Sequence, residues 1–149
     1  MKYWLMKSEP ESYSIDDLQR DKTTIWNSIR NYRARNIMRD EMKAGDLFFY
    51  YSMSKLNGVA GIGKIVTPGL PDATALDPKD DYYDPKATKE KNPWVAPKVA
   101  FVSKFKRIVT LDEIKKDKRL KNMILLKIAR LSIQPVTKAE FEAIKMFVK

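Results

Sequence analysis

No unbroken apolar run in this chain is longer than five residues; the longest, Leu47–Tyr51 and Met123–Leu126, are bounded on both sides by polar residues. A helix that crosses a bilayer needs roughly 20 apolar residues in succession, so the sequence predicts no such span. What it predicts instead is a set of short strands and helices, each burying a few side chains against its neighbours. A chain of 149 residues has the usual length of one domain and, on folding, hides about 68–70% of its unfolded surface. The expectation is one domain over residues 1–149 that folds without staples. The opening Met1–Lys7 stretch is too brief for a signal-peptide core and is soon interrupted by Glu9 and Glu11. A cytoplasmic location and a monomer are expected.

Local patterns divide the chain further. Tyr3–Met6 reads as an aromatic strand, and Ser14-x-x-Asp17 has capping-box spacing that opens a helix to about Gln19. Between Asn31 and Met42, the residues Ala34, Ile37, Met38 and Met42 recur at helical spacing, with Arg33, Arg35, Asn36, Arg39 and Asp40 mainly opposite. Gly45 is expected to end this helix in a left-handed cap. Leu47–Tyr51 and Gly58–Val66 read as paired strands, and Gly58, Gly61 and Gly63 signal bulges or the close approach of a backbone or ligand. Residues 68–97 hold six of the eight prolines together with Tyr82, Tyr83 and Trp94, the composition of a long functional loop. Lys98–Val109 is a further strand, Thr110-x-x-Glu113 caps a helix, and Leu120–Leu126 suits either helix or strand. Arg130–Gln134 reads as a strand stopped by Pro135, and Thr137-x-x-Glu140 opens a last helix presenting Phe141, Ile144 and Val148. Short strands with helices at their margins indicate an α+β domain around a mixed, curled sheet.

Two absences bound the chemistry. The chain has no Cys and no His, so Ser-His and Cys-His nucleophilic catalysis and most transition-metal sites lose their usual components. The carboxylates Asp77, Asp80, Asp81 and Asp84 lack the glycine and terminal glutamate of an EF-hand loop and read as an exposed acidic loop. The three strand glycines fit neither phosphate-loop pattern. No metal, cofactor or catalytic residue is expected.

Charge points to a partner instead. The net charge is +10, spread as +3 over residues 1–67, −2 over 68–97 and +9 over 98–149. Such an excess suits a polyanion, because each phosphate contact releases condensed counterions. An arginine-rich helix is read with Arg30, Arg33, Arg35, Arg39 and Lys43, and Trp26-Asn27-Ser28-Ile29-Arg30-Asn31-Tyr32 sets an indole and amide groups at its entrance. Flat side chains for stacking and amides for base edges are the means by which extruded or single-stranded bases are read. Arg33, Arg39, Lys104, Lys106 and Arg107 are the expected phosphate contacts. Two other readings stay open: a small enzyme acting on RNA or a nucleoside-like substrate through Lys, Tyr or Asp, and a protein-interaction domain with a basic surface.

Several blocks, taken in order, resemble those of the EVE domain. They are Tyr3–Pro10, Trp26–Asn36, Lys43–Ser52, Gly58–Gly61, Pro71-Asp72, Tyr82–Asp84 and Arg130–Pro135. The resemblance spans nearly the whole chain. It implies a PUA-like curled mixed β-barrel with short flanking helices, and a pocket for a modified base, modified cytosine above all, in DNA or RNA. It also implies a base pocket drawn from Lys7, Ser8, Trp26, Asn31, Tyr32, Arg35, Tyr50, Ser52, Ser132 and Gln134, with Trp94 as a lid. Two positions depart from the family pattern: Ser28 stands where glycine is usual, and Tyr51 where histidine is usual.

The charge distribution carries its own test. With on the order of 3–6 phosphate contacts, log K for an oligonucleotide should fall against log salt with a slope of about −2 to −5; fluorescence anisotropy over a salt series measures it, and a flat response would remove the electrostatic argument.

Overall fold

The computed structural model describes all residues, 1–149. In chain order the elements are β1 (Tyr3–Ser8), α1 (Ile15–Asp21), β2 (Thr23–Ile25), α2 (Tyr32–Asp40), β3 (Leu47–Ser52), β4 (Gly58–Pro71), β5 (Val95–Thr110), α3 (Leu111–Lys116), α4 (Ile124–Lys127), β6 (Ile133–Val136) and α5 (Lys138–Met146). Single 3-10 turns lie at Ala73–Leu76 and Lys118–Leu120. No helix is long and apolar enough to cross a membrane.

The strands form one mixed sheet in the order β2-β5-β4-β3-β1-β6. β1 runs parallel to β3 and antiparallel to β6, and every other pairing is antiparallel. Bulges between β4 and β5, and one at Ala60 of β4 opposite the Tyr50–Tyr51 step of β3, bend the ladder. The α+β class and the curl agree with the sequence expectation, but closure does not. β2 and β6, of three and four residues, end the sheet as unpaired edges, so it is not a closed barrel.

Both faces of the central strands are buried, which explains why Leu47–Tyr51 is continuously apolar rather than alternating. Trp4, Met6, Phe48 and Tyr50 face one core together with Ile15 and Leu18 of α1 and Ala34, Ile37 and Met38 of α2. Leu5, Phe49 and Tyr51 face the other, with Ile114, Leu125, Phe141 and Ile144 from α3, α4 and α5. The strand glycines serve this packing. A Cβ on Gly61 would lie 2.8 Å from the Ile15 side chain, and one on Gly63 would collide with the Phe48 ring. They admit the core rather than a ligand.

The capping boxes at Ser14, Thr110 and Thr137 form with both reciprocal hydrogen bonds. Two other boundary readings need correction. Gly45 is left-handed, with φ +95°, but α2 has already ended at Glu41, and the glycine turns the chain into β3. Pro135 does not stop β6; it pairs opposite Trp4 within the strand. An edge strand tolerates proline because its missing N–H removes no ladder bond on the solvent side.

One buried carboxylate ties the N-terminus to this framework. Asp46, 3% exposed, accepts from the Trp4 indole N–H at 3.0 Å, from the Lys2 amide at 3.0 Å and from the Lys43 amide at 2.9 Å. Burial alone would raise its pKa, but the hydrogen bonds from Trp4, Lys2 and Lys43 outweigh it and hold the carboxyl below its usual range. A folded pKa below the unfolded value of about 3.9 means that Asp46 contributes stability above that pH and loses it as pH falls through the lower folded value. Asp46→Ala should therefore destabilise the fold at pH 7 by roughly 1–3 kcal/mol for each buried donor left unpaired. Urea midpoints should show that deficit shrinking towards pH 3; a pH-independent deficit would show that the carboxylate charge is not what matters.

Candidate functional site

β1 and β3 run parallel and end side by side at Ser8 and Ser52. Beyond the end of β1 opens a cavity of about 470 Å³, within the range of small-molecule sites. Its walls come from the end of β1 (Lys7, Ser8), the following turn (Glu9, Ser12, Tyr13), the end of β2 with the segment after it (Thr24–Ile29), and Met53 and Tyr82. A cleft of similar volume, about 480 Å³, lies at the other end of β1 beside Met1–Trp4 and Pro135. There the indole N–H is already committed, since Trp4 donates to Asp46.

The three tryptophans differ in this respect. Trp4 Nε1 donates to Asp46 and Trp94 Nε1 to Asp84, whereas Trp26 Nε1 has no acceptor in the chain. The Trp26 indole is 7% exposed and packs edgewise on Phe48 and Tyr50, with centroids at 5.6 and 6.0 Å. It is thus a core residue and a cavity wall at once. An indole N–H left unpaired at a cavity wall is a donor for a ligand.

The polar wall is built around the Tyr13 carbonyl. It accepts from the Ser8 hydroxyl at 2.9 Å and from the Tyr50 hydroxyl at 2.5 Å, which brings these two expected residues together. Tyr50 is itself buried beneath the cavity wall in the first core. Lys7 donates to the Ala129 carbonyl at 2.6 Å and lies 5.6 Å from the centroid of the Tyr51 ring, with no carboxylate partner. Burial lowers its pKa and pushes the Tyr50 and Tyr51 phenols up to about 12. Near neutral pH the phenols stay protonated and can donate hydrogen bonds.

The opposite wall hangs on Asp72, a carboxylate of 0% exposure. It accepts from the Ser28 amide at 2.8 Å, Arg30 Nη1 at 3.0 Å, and the Thr74 amide and hydroxyl at 2.9 and 2.6 Å. Burial would raise its pKa, and the bonds from Thr74, Ser28 and Arg30 together bring it below the usual range. Arg30 also donates to the Tyr82 carbonyl at 2.8 Å, which sets Tyr82 at the cavity. Ser28 is left-handed, with φ +71°, a conformation that glycine adopts freely and that costs another residue roughly 1–2 kcal/mol. That accounts for the family's usual glycine here.

Other expected site residues lie outside the cavity lining. Asn31 caps α2 through its amide oxygen, 3.0 Å from the Ala34 amide. Tyr32 packs tilted against Trp94 with ring centroids 4.8 Å apart, and Arg35 lies 5.0 Å from the Tyr32 centroid while donating to the Pro93 carbonyl. Trp94 is 6% exposed and supports the Asp72 loop from within. Ser52 is buried opposite Ser8, the Ser132 carbonyl accepts from the Lys7 amide, and Gln134 is buried with its amide group on the Ile128 and Leu131 carbonyls. Of the expected phosphate contacts, Arg39 pairs with Asp40, Lys104 with Asp16 and Arg107 with Glu113; Arg33 and Lys106 are exposed without acid partners.

Sequence reading did not single out Tyr13, Met53 or Tyr82 as cavity residues, took Asn27 only as one of the amides beside the indole, and placed Arg30 with the arginine helix. Asn27 and Tyr82 stand within the blocks that carry the family resemblance, so a signal existed for them. Nothing local marks Tyr13 or Met53. The acidic run is explained by turns: Asp77, Asp80 and Asp84 accept from the Lys79, Tyr82 and Lys86 amides.

Comparison with known proteins agrees with this architecture. The sequence model of the EVE domain matches residues 2–146. Thymocyte nuclear protein 1 of Gallus gallus is 43% identical over 94% of this chain, which spans 66% of that protein's length. A protein of Leishmania major superposes with a TM-score of 0.95 at 46% identity, covering 99% of this chain and 94% of that one. Human THYN1, solved in complex with DNA containing 5-methylcytosine, superposes with a TM-score of 0.92 at 38% identity, covering 100% of this chain and 99% of that one. On the match across residues 2–146 and the identity of these relatives, the chain belongs to the EVE domain family.

Proposed function

We propose that residues 1–149 form one EVE unit that recognises modified cytosine in DNA, holding a single extruded base in the cavity beside Trp26 without catalysis. The observation that carries the reading is the Trp26 wall, an indole on a cavity of about 470 Å³ in a chain superposable over its whole length on human THYN1, which was solved with 5-methylcytosine DNA. Extruding a base costs a few kcal/mol. Stacking returns about 1–3 kcal/mol per base, and Lys7, Ser8 and Asn27 offer polar groups for its edge. Met53 and Ile25 add exposed apolar surface to the same walls, suited to an alkyl substituent.

The site is better furnished for holding than for reacting. The lining has no histidine or cysteine, the Tyr50 phenol beneath it is kept protonated by burial and donates to the Tyr13 carbonyl, and one N–H of the Lys7 ammonium is held by the Ala129 carbonyl, leaving the others to donate to a ligand. A panel of duplexes identical except for one cytosine, 5-methylcytosine or 5-hydroxymethylcytosine tests the reading directly. Preference for a modified duplex with no change of mass in the oligonucleotide is expected; turnover would favour an enzyme instead.

Because Trp26 belongs to the core and the cavity together, Trp26→Ala should weaken binding by about 1–3 kcal/mol and destabilise the fold by about 3–5 kcal/mol. Melting and anisotropy on the same sample separate the effects. A variant that melts early yet binds normally when folded in the cold would remove Trp26 from the site.

The two asparagines should behave differently. Asn27 is exposed at the cavity, with its oxygen taking only the Ser28 hydroxyl at 3.0 Å, so Asn27→Ala should reduce discrimination between modified and unmodified duplex with little change in melting. Asn31→Ala removes a helix cap and should cost about 1 kcal/mol of stability. If Asn31→Ala alone abolished discrimination, the base edge would be read from α2.

A further inference from the structure

The excess positive charge of the C-terminal third is concentrated in one stretch. Residues 115–130 contain seven basic side chains and one acid, Asp117. That acid is committed, accepting from Arg119 at 3.0 and 2.7 Å. Lys115, Lys116, Lys118, Lys121, Lys127 and Arg130 are all exposed and have no ion-pair partner. Elsewhere Arg20, Arg30, Arg39, Lys104, Arg107 and Lys145 lie on carboxylates, and although others such as Arg33 and Lys106 are free, residues 115–130 set six unpaired cations within sixteen residues. A cation free of carboxylate can exchange its counterion for phosphate without first breaking a pair.

The stretch is also fixed in place. Leu120, Met123 and Leu125 enter the second core, and Ile124, Ile128 and Leu131 pack on the first. Gln134 Nε2 clamps the Ile128 and Leu131 carbonyls at 3.1 and 2.7 Å. Its near end reaches the cavity, because Ala129, between Lys127 and Arg130, accepts the hydrogen bond from Lys7 of the cavity wall. The Tyr82 wall has the opposite sign. Asp80 and Asp81 line a hollow beside it with Lys79 as the only cation.

We infer that Lys115–Arg130 is the track on which the DNA backbone lies, entering the cavity past Lys127 and Arg130 and kept from the far rim by Asp80 and Asp81. The inference rests on the base-site reading above, and it moves the phosphate contacts from β5 to the α3–α4 segment.

The test uses the full chain, with unmodified and 5-methylcytosine duplexes titrated over a salt series. Replacing both Lys127 and Arg130 with Gln should reduce the magnitude of the salt slope by about 2, weaken both duplexes by the same factor and leave melting unchanged. Asp80→Asn with Asp81→Asn should strengthen both duplexes. An unchanged slope in the Lys127/Arg130 variant overturns the track, as does a slope that falls only when Lys104, Lys106 and Arg107 are replaced by Gln. Loss of binding to phosphatidylserine vesicles with no change on DNA would likewise overturn it, by making the surface a membrane contact. Should the unaltered protein fail to distinguish the two duplexes while the variant still lowers the slope, the base reading fails and the track stands.

Discussion

A carboxylate removed from water costs several kcal/mol unless hydrogen bonds replace its hydration, and in this fold the fully buried Asp72 receives four of them. The donors come from two distant stretches of chain. Ser28 and Arg30 lie just after Trp26, and Thr74 opens the 3-10 turn after β4. Arg30 carries the constraint onward to the Tyr82 carbonyl, and its guanidinium lies 5.3 Å from the Trp94 ring centroid. The proline-bearing loop between β4 and β5 and the segment after β2 are thereby held as one wall. The left-handed Ser28 is tolerated because its amide is part of this arrangement.

The sheet supplies the other wall. Since β1 and β3 are parallel, their C-terminal ends fall at the same edge; the chain leaves β1 there and returns to the start of β3 over the first core through α1, β2 and α2, and leaves β3 there into the antiparallel β4. A cavity at the carboxyl ends of parallel strands follows from that connection. Trp26 is where the two constraints meet, packed on Phe48 and Tyr50 from one side and open to the cavity on the other. On the proposed reading, binding and stability are coupled at this residue.

The absence of histidine and cysteine takes on a structural meaning in this setting. The polar groups at and beneath the cavity are hydroxyls, an amide, an indole N–H, a glutamate and one lysine, a set rich in hydrogen-bond donors. Tyr51, at the position where the family usually has histidine, is 3% exposed and kept protonated by burial. Lys7 then brings the only cationic side chain of the lining, and the cations that outnumber it are displayed outside the cavity.

What sequence alone determined were features whose physics is local. Three capping boxes, the strand at Leu47–Tyr51 and the amphipathic α2 each depend on neighbours within a few residues, and each is present as read. The block resemblance carried the family and named Lys7, Ser8 and Trp26 of the cavity walls. Tertiary structure decided everything that needed partners far apart in the chain. Closure of the sheet depends on whether β2 and β6 meet, Asn31 is a helix cap because the Ala34 amide lies in reach, and Arg30 leaves the arginine helix because Asp72, 42 residues on, holds it. Lys104 and Lys127 read alike in sequence, yet only the first finds an aspartate across the fold. Pattern records what a residue can do; which of its possible partners it meets depends on distances set by packing the whole chain at once.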